Sequence, residues 1–342
     1  MTIMSTIKKI AQKAGVSPTT VSNVIHGKTA KVSPATLEKV QAILDEENFA
    51  PNMGAVILAH SNSRIIGVIM FREPRSDETV LQDPFTSTIL GAIELEIRRD
   101  DHFMMLHTTC DKAEVLRLAA TWKLAGMILM WVPGEICGSI TKSTDTPIVF
   151  IDCYFEDDGQ RYHNIGLDDM RGGYEMTRYL ISMGHTKIAF LANAQEFPSG
   201  DYVRFAGYRE AFAEKGLKAG DECFIPLSKN AEERYALYGR FAADPVPYTA
   251  LFFSADYYAV DAINYFTEQG ISVPGRISVA GFDNNNYSRF IRPKLTTVHQ
   301  DVFLKGQSAV SMLMRLIRGE TVSELDVRQP VRLEIRDSIA KI

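Results

Sequence analysis

The chain has 342 residues, 46% of them hydrophobic, and a net charge of −5. That is too long for one ordinary core and too apolar for a disordered chain, so two or three domains are expected. No apolar run reaches the length of a membrane span, which excludes a membrane-spanning helix.

Residues 1–10 are polar and lysine-bearing, unlike a secretory signal. Cys110, Cys137, Cys153 and Cys223 lie far apart with no C-x-x-C spacing. From these features, reduced thiols in a cytoplasmic chain are expected. The charge is unevenly divided. Residues 1–44 hold six lysines against Glu38, a net of +5, which leaves −10 for the rest of the chain. A basic head on an acidic body marks the head as the part that meets phosphate.

Three short helices are expected in the head. Ile7, Ile10, Ala11 and Ala14 form one apolar stripe, with Thr6 placed to cap it. Gly15 allows a tight turn. Ser17 is a good N-cap for a second helix and Pro18 suits its first turn. Val21, Val24 and Ile25 give that helix a buried side. Thr19, Ser22, Asn23 and His26 follow the same spacing on another side, and all are polar. A third helix opens at Ser33-Pro34 and buries Leu37, Val40 and Leu44. Two helices joined by a glycine turn, the second with a hydrogen-bonding face, describe a helix-turn-helix. An ordinary three-helix bundle with a solvated face fits the same periodicity.

Beyond the head, strands are expected at 65–70, 103–107, 127–130, 148–152, 188–191, 251–254 and 278–282. Helical patterns lie between them, as at 86–99 and 206–215. Strands alternating with helices give parallel, doubly wound sheets, whose ligands sit beyond the carboxyl ends of the strands. Asp152 and Asp283 end two strands, and Asp256 lies just past a third. Phe85 and Tyr154 offer aromatic faces to a ring. Asp152 and Asp256 are also placed to cap helices, and Phe85 to fill a core. The sequence shows no G-x-G-x-x-G, P-loop, G-x-S-x-G or H-E-x-x-H, so neither an enzyme nor a cofactor is expected, and no histidine has metal-ligand spacing.

The run Thr6-Ile7-Lys8-Lys9-Ile10-Ala11-Gln12-Lys13-Ala14-Gly15-Val16-Ser17-Pro18-Thr19-Thr20-Val21-Ser22-Asn23-Val24-Ile25-His26-Gly27 resembles the signature of the lactose/galactose-repressor family. Asn48-Phe49-Ala50-Pro51-Asn52 resembles the segment that follows it, and the likeness continues through nearly the whole chain. It implies an α/β protein with an all-α helix-turn-helix head at 1–50 and a hinge helix and linker at 51–63. A two-lobed, periplasmic-binding-protein-like effector domain then spans 64–342. The first lobe is expected at about 64–165 and 296–328, the second at about 166–295 and 329–342, with 295–300 as one of the crossing segments.

The resemblance also implies a function: a transcription regulator, by default a repressor, that binds a pseudo-palindromic operator in double-stranded DNA as a homodimer. A small molecule, expected to be a carbohydrate, would control it from between the lobes. The family's base-reading positions fall on Pro18, Thr19 and Asn23, where relatives often carry a basic residue in place of Asn23. The wider expected DNA-contacting set adds Thr6, Ser17, Thr20, Ser22, His26, Lys31, Asn52 and Ala55, with Leu58 as a minor-groove wedge. Val56 and Ile57 make this hinge more apolar than in relatives. The effector set is Phe85, Asp152, Tyr154, Arg204, Asp256 and Asp283. Arg204 and Asp283 match positions that grip effector hydroxyls in sugar-responsive members, although a plain salt bridge between them is a second reading. Ala255 stands where many relatives have asparagine. The rival functions are a solute-binding receptor and a sugar-modifying enzyme of similar fold.

Overall fold

The computed structural model describes residues 7–25, 29–47, 49, 63–73, 80–155, 161–193, 199–243 and 248–342. The chain divides into two compact units, Met1–Ser63 and Arg64–Ile342.

In the first unit, α1 (Ile7–Ala14), α2 (Pro18–Ile25) and α3 (Pro34–Glu46) close over Ile10, Ala14, Val21, Val24, Val40 and Leu44. Gly15, at φ +68°, occupies the left-handed region that ends α1 and turns the chain toward α2. The Ser17 hydroxyl accepts from the Thr20 N–H at 3.1 Å, and the Ser33 hydroxyl accepts from the Thr36 N–H at 3.2 Å. Each such cap contributes about 1 kcal/mol to a helix start. Val21 and Val24 bury one side of α2, which leaves its polar side outward.

The second unit holds two sheets. Strands β1 (Ile65–Phe71), β2 (Phe103–Thr109), β3 (Gly126–Met130), β4 (Ile148–Ile151) and β5 (Asn164–Leu167) build the first. Strands β6 (Ile188–Ala192), β7 (Phe224–Pro226), β8 (Ala250–Phe253), β9 (Ser278–Asp283) and β10 (Thr296–His299) build the second. The chain then returns β11 (Val327–Gln329) to the first sheet and β12 (Arg332–Glu334) to the second. The orders are β11-β5-β4-β3-β1-β2 and β12-β10-β9-β8-β6-β7. Among the described residues all pairings are parallel except β10 with β12. Strand order reverses at β1/β3 and at β6/β8, the switch points beside which doubly wound sheets place their ligands.

Helices α4 (Pro84–Arg99), α5 (Lys112–Trp122) and α6 (Gly134–Thr141) belong to the first lobe. Helices α7 (Asp169–Ser182), α8 (Gly200–Glu214), α9 (Ala231–Ala242), α10 (Asp256–Glu268) and α11 (Asn286–Phe290) belong to the second. Helix α12 (Val302–Ile317) returns to the first and packs on α4, burying Leu313 and Ala309.

The lobe boundaries differ from the expected ones. The residues read as a crossing segment form β10, paired with β9 and β12. The chain therefore crosses at Gln300–Asp301, not at 295–296, and elsewhere at Asp168 and Pro330–Val331. Thr296 and Thr297 are fully buried, so two β-branched polar residues serve as sheet core.

Helices α7 and α8 touch through glycines. A Cβ on Gly173 would fall on the Arg204 carbonyl, and one on Gly207 on the Met170 carbonyl. Gly91, inside α4, meets nothing within 4 Å. Gly173→Ala is therefore expected to destabilise the protein by about 1–3 kcal/mol through forced separation of the helices. Gly91→Ala should stabilise it by about 0.5–1 kcal/mol through helix propensity. Thermal denaturation of the two variants checks the opposite signs.

Candidate functional site

At the carboxyl ends of the strands, the two lobes flank an open cavity of about 280 Å³. The first lobe contributes Asp83, Phe85, Trp131, Asp152 and Tyr154. The second contributes Ser199, Gly200, Asp201, Arg204, Ala255 and Asp283, and the crossing residue Gln300 completes the lining. Five of the six expected effector residues thus come together: Phe85, Asp152, Tyr154, Arg204 and Asp283. The backbone at three strand ends is left-handed: Trp131 at φ +60°, Asp152 at +51° and Asp283 at +118°. Such conformations cost about 1–3 kcal/mol each in non-glycine residues and concentrate at ligand sites.

A hydrogen-bonded chain through Lys305 and Gln300 connects the lobes. Lys305, on α12 and 1% exposed, donates to both carboxylate oxygens of Asp152, at 2.7 and 3.0 Å. It also donates to the Gln300 side-chain oxygen at 3.1 Å, and Gln300 donates its amide to Asp283 Oδ1 at 2.6 Å. An ammonium this deeply buried needs such partners, because taking it out of water unpaired costs several kcal/mol. Burial pushes the Asp283 carboxyl up to about 7; the charge of Asp83 adds to this, while Arg204, Gln300 and Lys305 oppose it.

A second cluster holds Arg204. Its Nε donates to Asp169 Oδ1 at 2.7 Å and its Nη1 to the Ser254 carbonyl at 2.6 Å. Its guanidinium lies 3.7 Å from the Phe282 ring centroid. Tyr154 donates its hydroxyl to the other Asp169 oxygen at 2.6 Å. Burial works against the Arg204 charge, but Asp169 and then Asp283 outweigh it and hold the guanidinium above its ordinary value. The ion pair made by Arg204 is with Asp169; the direct Arg204–Asp283 bridge that the sequence left open does not form.

Asp256 does not line the cavity. It is fully buried and accepts from the Thr297 hydroxyl at 2.5 Å and from the Asn285 N–H at 3.0 Å, fastening α10 to β10 and to the turn before α11. Burial and then the charge of Asp283 raise its carboxyl well above the usual range. It does not cap its own helix either, since the N-cap position of α10 is Ala255, with no side-chain bond. Phe85 both lines the cavity and packs on the first-lobe core.

Sequence reasoning missed Lys305, Gln300, Asp169 and Trp131. Lys305 was visible as the one charge in Val302-Phe303-Leu304-Lys305-Gly306, near the start of a mostly apolar helix. Asp169 follows Asp168, which caps α7 by accepting from the Arg171 N–H at 3.2 Å; two acidic residues at a helix start read as one cap and conceal a buried ion pair.

On the head, the Ser17 and Thr20 hydroxyls bond each other at 2.9 Å, so both are engaged at the start of α2. Pro18 and Thr19 are exposed, and Ser22 and Asn23 partly so, on its outer side. Lys31 is exposed at the end of the short turn Thr29–Lys31. Thr6, His26, Asn52, Ala55 and Leu58 lie outside the described residues, as does the expected hinge from 51 to 62. Among the described residues no group of three metal-ligating side chains gathers, and no helix is long and apolar enough to cross a membrane.

Comparison with known proteins places both units. Residues 6–52 match the family described as bacterial regulatory proteins, lacI family, and residues 177–339 match the periplasmic binding protein-like domain. The chain is 32% identical over 328 residues to the HTH-type transcriptional repressor PurR of Pectobacterium atrosepticum, covering 93% of this chain and 92% of the relative. It aligns with the lac repressor dimer bound to operator and the anti-inducer ONPF at TM-score 0.82 and 25% identity, covering 99% and 100% of the two chains. A LacI family transcriptional regulator from Enterococcus faecium with bound ribose aligns at TM-score 0.68 and 25% identity, covering 81% and 99%.

The raised Asp283 carboxyl fixes a pH dependence. The folded state holds this proton more tightly than the unfolded chain, so the contribution to stability is largest in acid and is lost as pH rises through about 7. Asp283→Asn should remove it. Between about pH 5 and about pH 8 the wild type is expected to lose melting temperature relative to the variant. Calorimetry across that range checks this, and a gap that does not change with pH contradicts it.

Proposed function

Because the chain belongs to the lacI family of bacterial regulatory proteins and is a DNA-binding transcriptional repressor with a small-molecule effector domain, we propose that it is a cytoplasmic homodimer whose grip on a pseudo-palindromic operator is set by a sugar or sugar derivative bound between its lobes. Its relatives are repressors and not enzymes, so the sugar-modifying reading falls away.

The observation that carries the effector assignment is the convergence of polar groups from both lobes on one cavity of about 280 Å³. That volume suits a ligand of monosaccharide size. Sugar hydroxyls both give and accept hydrogen bonds, and the lining supplies carboxylates as acceptors and amide and guanidinium groups as donors. Phe85 and Trp131, with ring centroids 6.5 Å apart, offer apolar faces to a ring. The Enterococcus faecium regulator, whose structure holds ribose, supports the same ligand class.

On DNA, α2 enters the major groove of each half-site. Asn23 reads a base edge there, adenine being the base that an amide pairs with bidentately. Pro18 and Thr19 contribute shape and short contacts, Ser17, Thr20 and Ser22 support the backbone approach, and Lys31 meets phosphate. Leu58, with Asn52 and Ala55 on the hinge, wedges the central step of the minor groove. Ligand changes operator affinity by binding one lobe arrangement better than the other. Half-site spacing is fixed by DNA geometry, so a small displacement of the paired heads is enough to weaken binding.

Binding-site selection combined with effector titration tests this. Asn23→Ala is expected to relax preference at one position in both half-sites, at a cost of about 1–3 kcal/mol for that base pair. Lys31→Ala should weaken all sequences alike. Asp283→Asn should keep operator affinity and lose at least about tenfold in sensitivity to effector. Unchanged preference in Asn23→Ala removes it from the reading face, and full sensitivity in Asp283→Asn removes that residue from the pocket.

A further inference from the structure

The cavity is more acidic than a neutral sugar requires. Its described lining carries the carboxylates Asp83, Asp152, Asp201 and Asp283 against one cation, Arg204. The layer behind cancels two of these charges, and Asp201 is engaged as well, accepting from the Asn193 N–H at 3.0 Å. Lys305 neutralises Asp152 at 2.7 Å, and buried Asp169 neutralises Arg204, also at 2.7 Å. Asp83 and Asp283 have no such counter-ion within salt-bridge distance among the described residues.

These two carboxylates come from opposite lobes. Asp83 precedes α4 in the first and caps it, its Oδ2 accepting from the Thr86 N–H at 2.9 Å and the Thr86 hydroxyl at 2.6 Å. Asp283 ends β9 in the second, is only 9% exposed, and accepts from Gln300 at Oδ1. Asp83 Oδ1 and Asp283 Oδ2 take no hydrogen bond among the described residues, and both residues line the same cavity. The two charges act on each other across it: Asp83 makes ionisation of Asp283 harder, against the larger opposing effect of Arg204.

We infer that the effector carries a protonated amine, as in an amino sugar or amino polyol, and that this ammonium sits between Asp83 and Asp283. The inference rests on the reading of this cavity as the effector site. An ammonium has three donors and no acceptor, which suits two acidic side chains that each keep an oxygen available, and its charge draws off the proton that burial leaves on Asp283. Charge-assisted hydrogen bonds of this kind are roughly twice as strong as neutral ones. The bridging cation also removes a like-charge repulsion between the lobes, so it favours the arrangement in which they approach. A phosphorylated or carboxylated sugar adds a like charge to the same space and is rejected, a form of specificity by repulsion.

The test uses the full-length protein and matched trios: glucose, glucosamine and glucose 6-phosphate, and the galactose and mannose counterparts. Thermal shift ranks them and calorimetric titration gives affinities. An amino sugar is expected to bind at least about tenfold tighter than its neutral parent, with no binding of the phosphate. Asp83→Asn should cut that preference to within about threefold while keeping the fold, since asparagine caps a helix as well as aspartate. A neutral sugar that binds as tightly as its amine overturns the charge inference and leaves the sugar-binding reading standing. So does a preference for the amine that Asp83→Asn does not alter. If no member of any trio binds, the sugar reading fails and this inference fails with it.

Discussion

The buried ammonium of Lys305 is the constraint on which the arrangement of the lobes depends. At 1% exposure it must be paired, and its partners are Asp152 at the end of a first-lobe strand and Gln300 on the chain between the lobes. Gln300 passes the connection to Asp283, at the end of a second-lobe strand. Removing one partner of a buried pair of this kind costs about 3–5 kcal/mol, whereas the intact pair adds little net stability. Its value lies in geometry. It holds two strand ends with left-handed backbone, Asp152 and Asp283, in register across a crossing of only two residues.

Function follows from where that connection lies. The same two carboxylates face the cavity, so a ligand that bonds to either one competes with, or completes, the contacts that hold the lobes. A second link runs beside it: Asp169 of the second lobe holds Arg204 and accepts from the hydroxyl of first-lobe Tyr154. The wall is therefore coupled to lobe position at two places, through Gln300 and through the Tyr154–Asp169 bond, while Arg204 is fixed by its own ion pair within the second lobe. In the proposed reading, contacts that span both lobes are what give a ligand unequal affinity for two lobe arrangements, the requirement for any change at a distant site.

Much of this was legible in the sequence, because local chemistry announced it. Ser17 and Ser33 mark helix starts, Gly15 marks a turn, and the apolar spacing of Val21 and Val24 fixes which side of α2 faces out. Asp152 and Asp283 were visible as charges that end apolar runs. What was hidden depended on tertiary context. Thr296 and Thr297 look polar but are sheet core, so β10 passed for a link. The strands β5, β7, β11 and β12 are three or four residues long and carry glycine, proline or arginine, too short for a period to show. Asp256 sits beyond a strand like a ligand-binding residue, yet its partners, Thr297 and Asn285, lie far along the chain. Asp169 and Lys305 are likewise defined by partners distant in sequence.

The central claim is that occupancy of the inter-lobe cavity reaches the operator through the connection that Gln300 carries. The most direct measurement is operator affinity, by fluorescence anisotropy, for Gln300→Leu with and without a sugar that raises the melting temperature of the wild type. Lys305 and Asp152 remain paired in this variant, so the fold is retained. The account predicts that the sugar still binds, within about tenfold of its wild-type affinity, while operator affinity no longer responds to it. A Gln300→Leu protein whose operator affinity changes with the sugar as fully as the wild type's would contradict it.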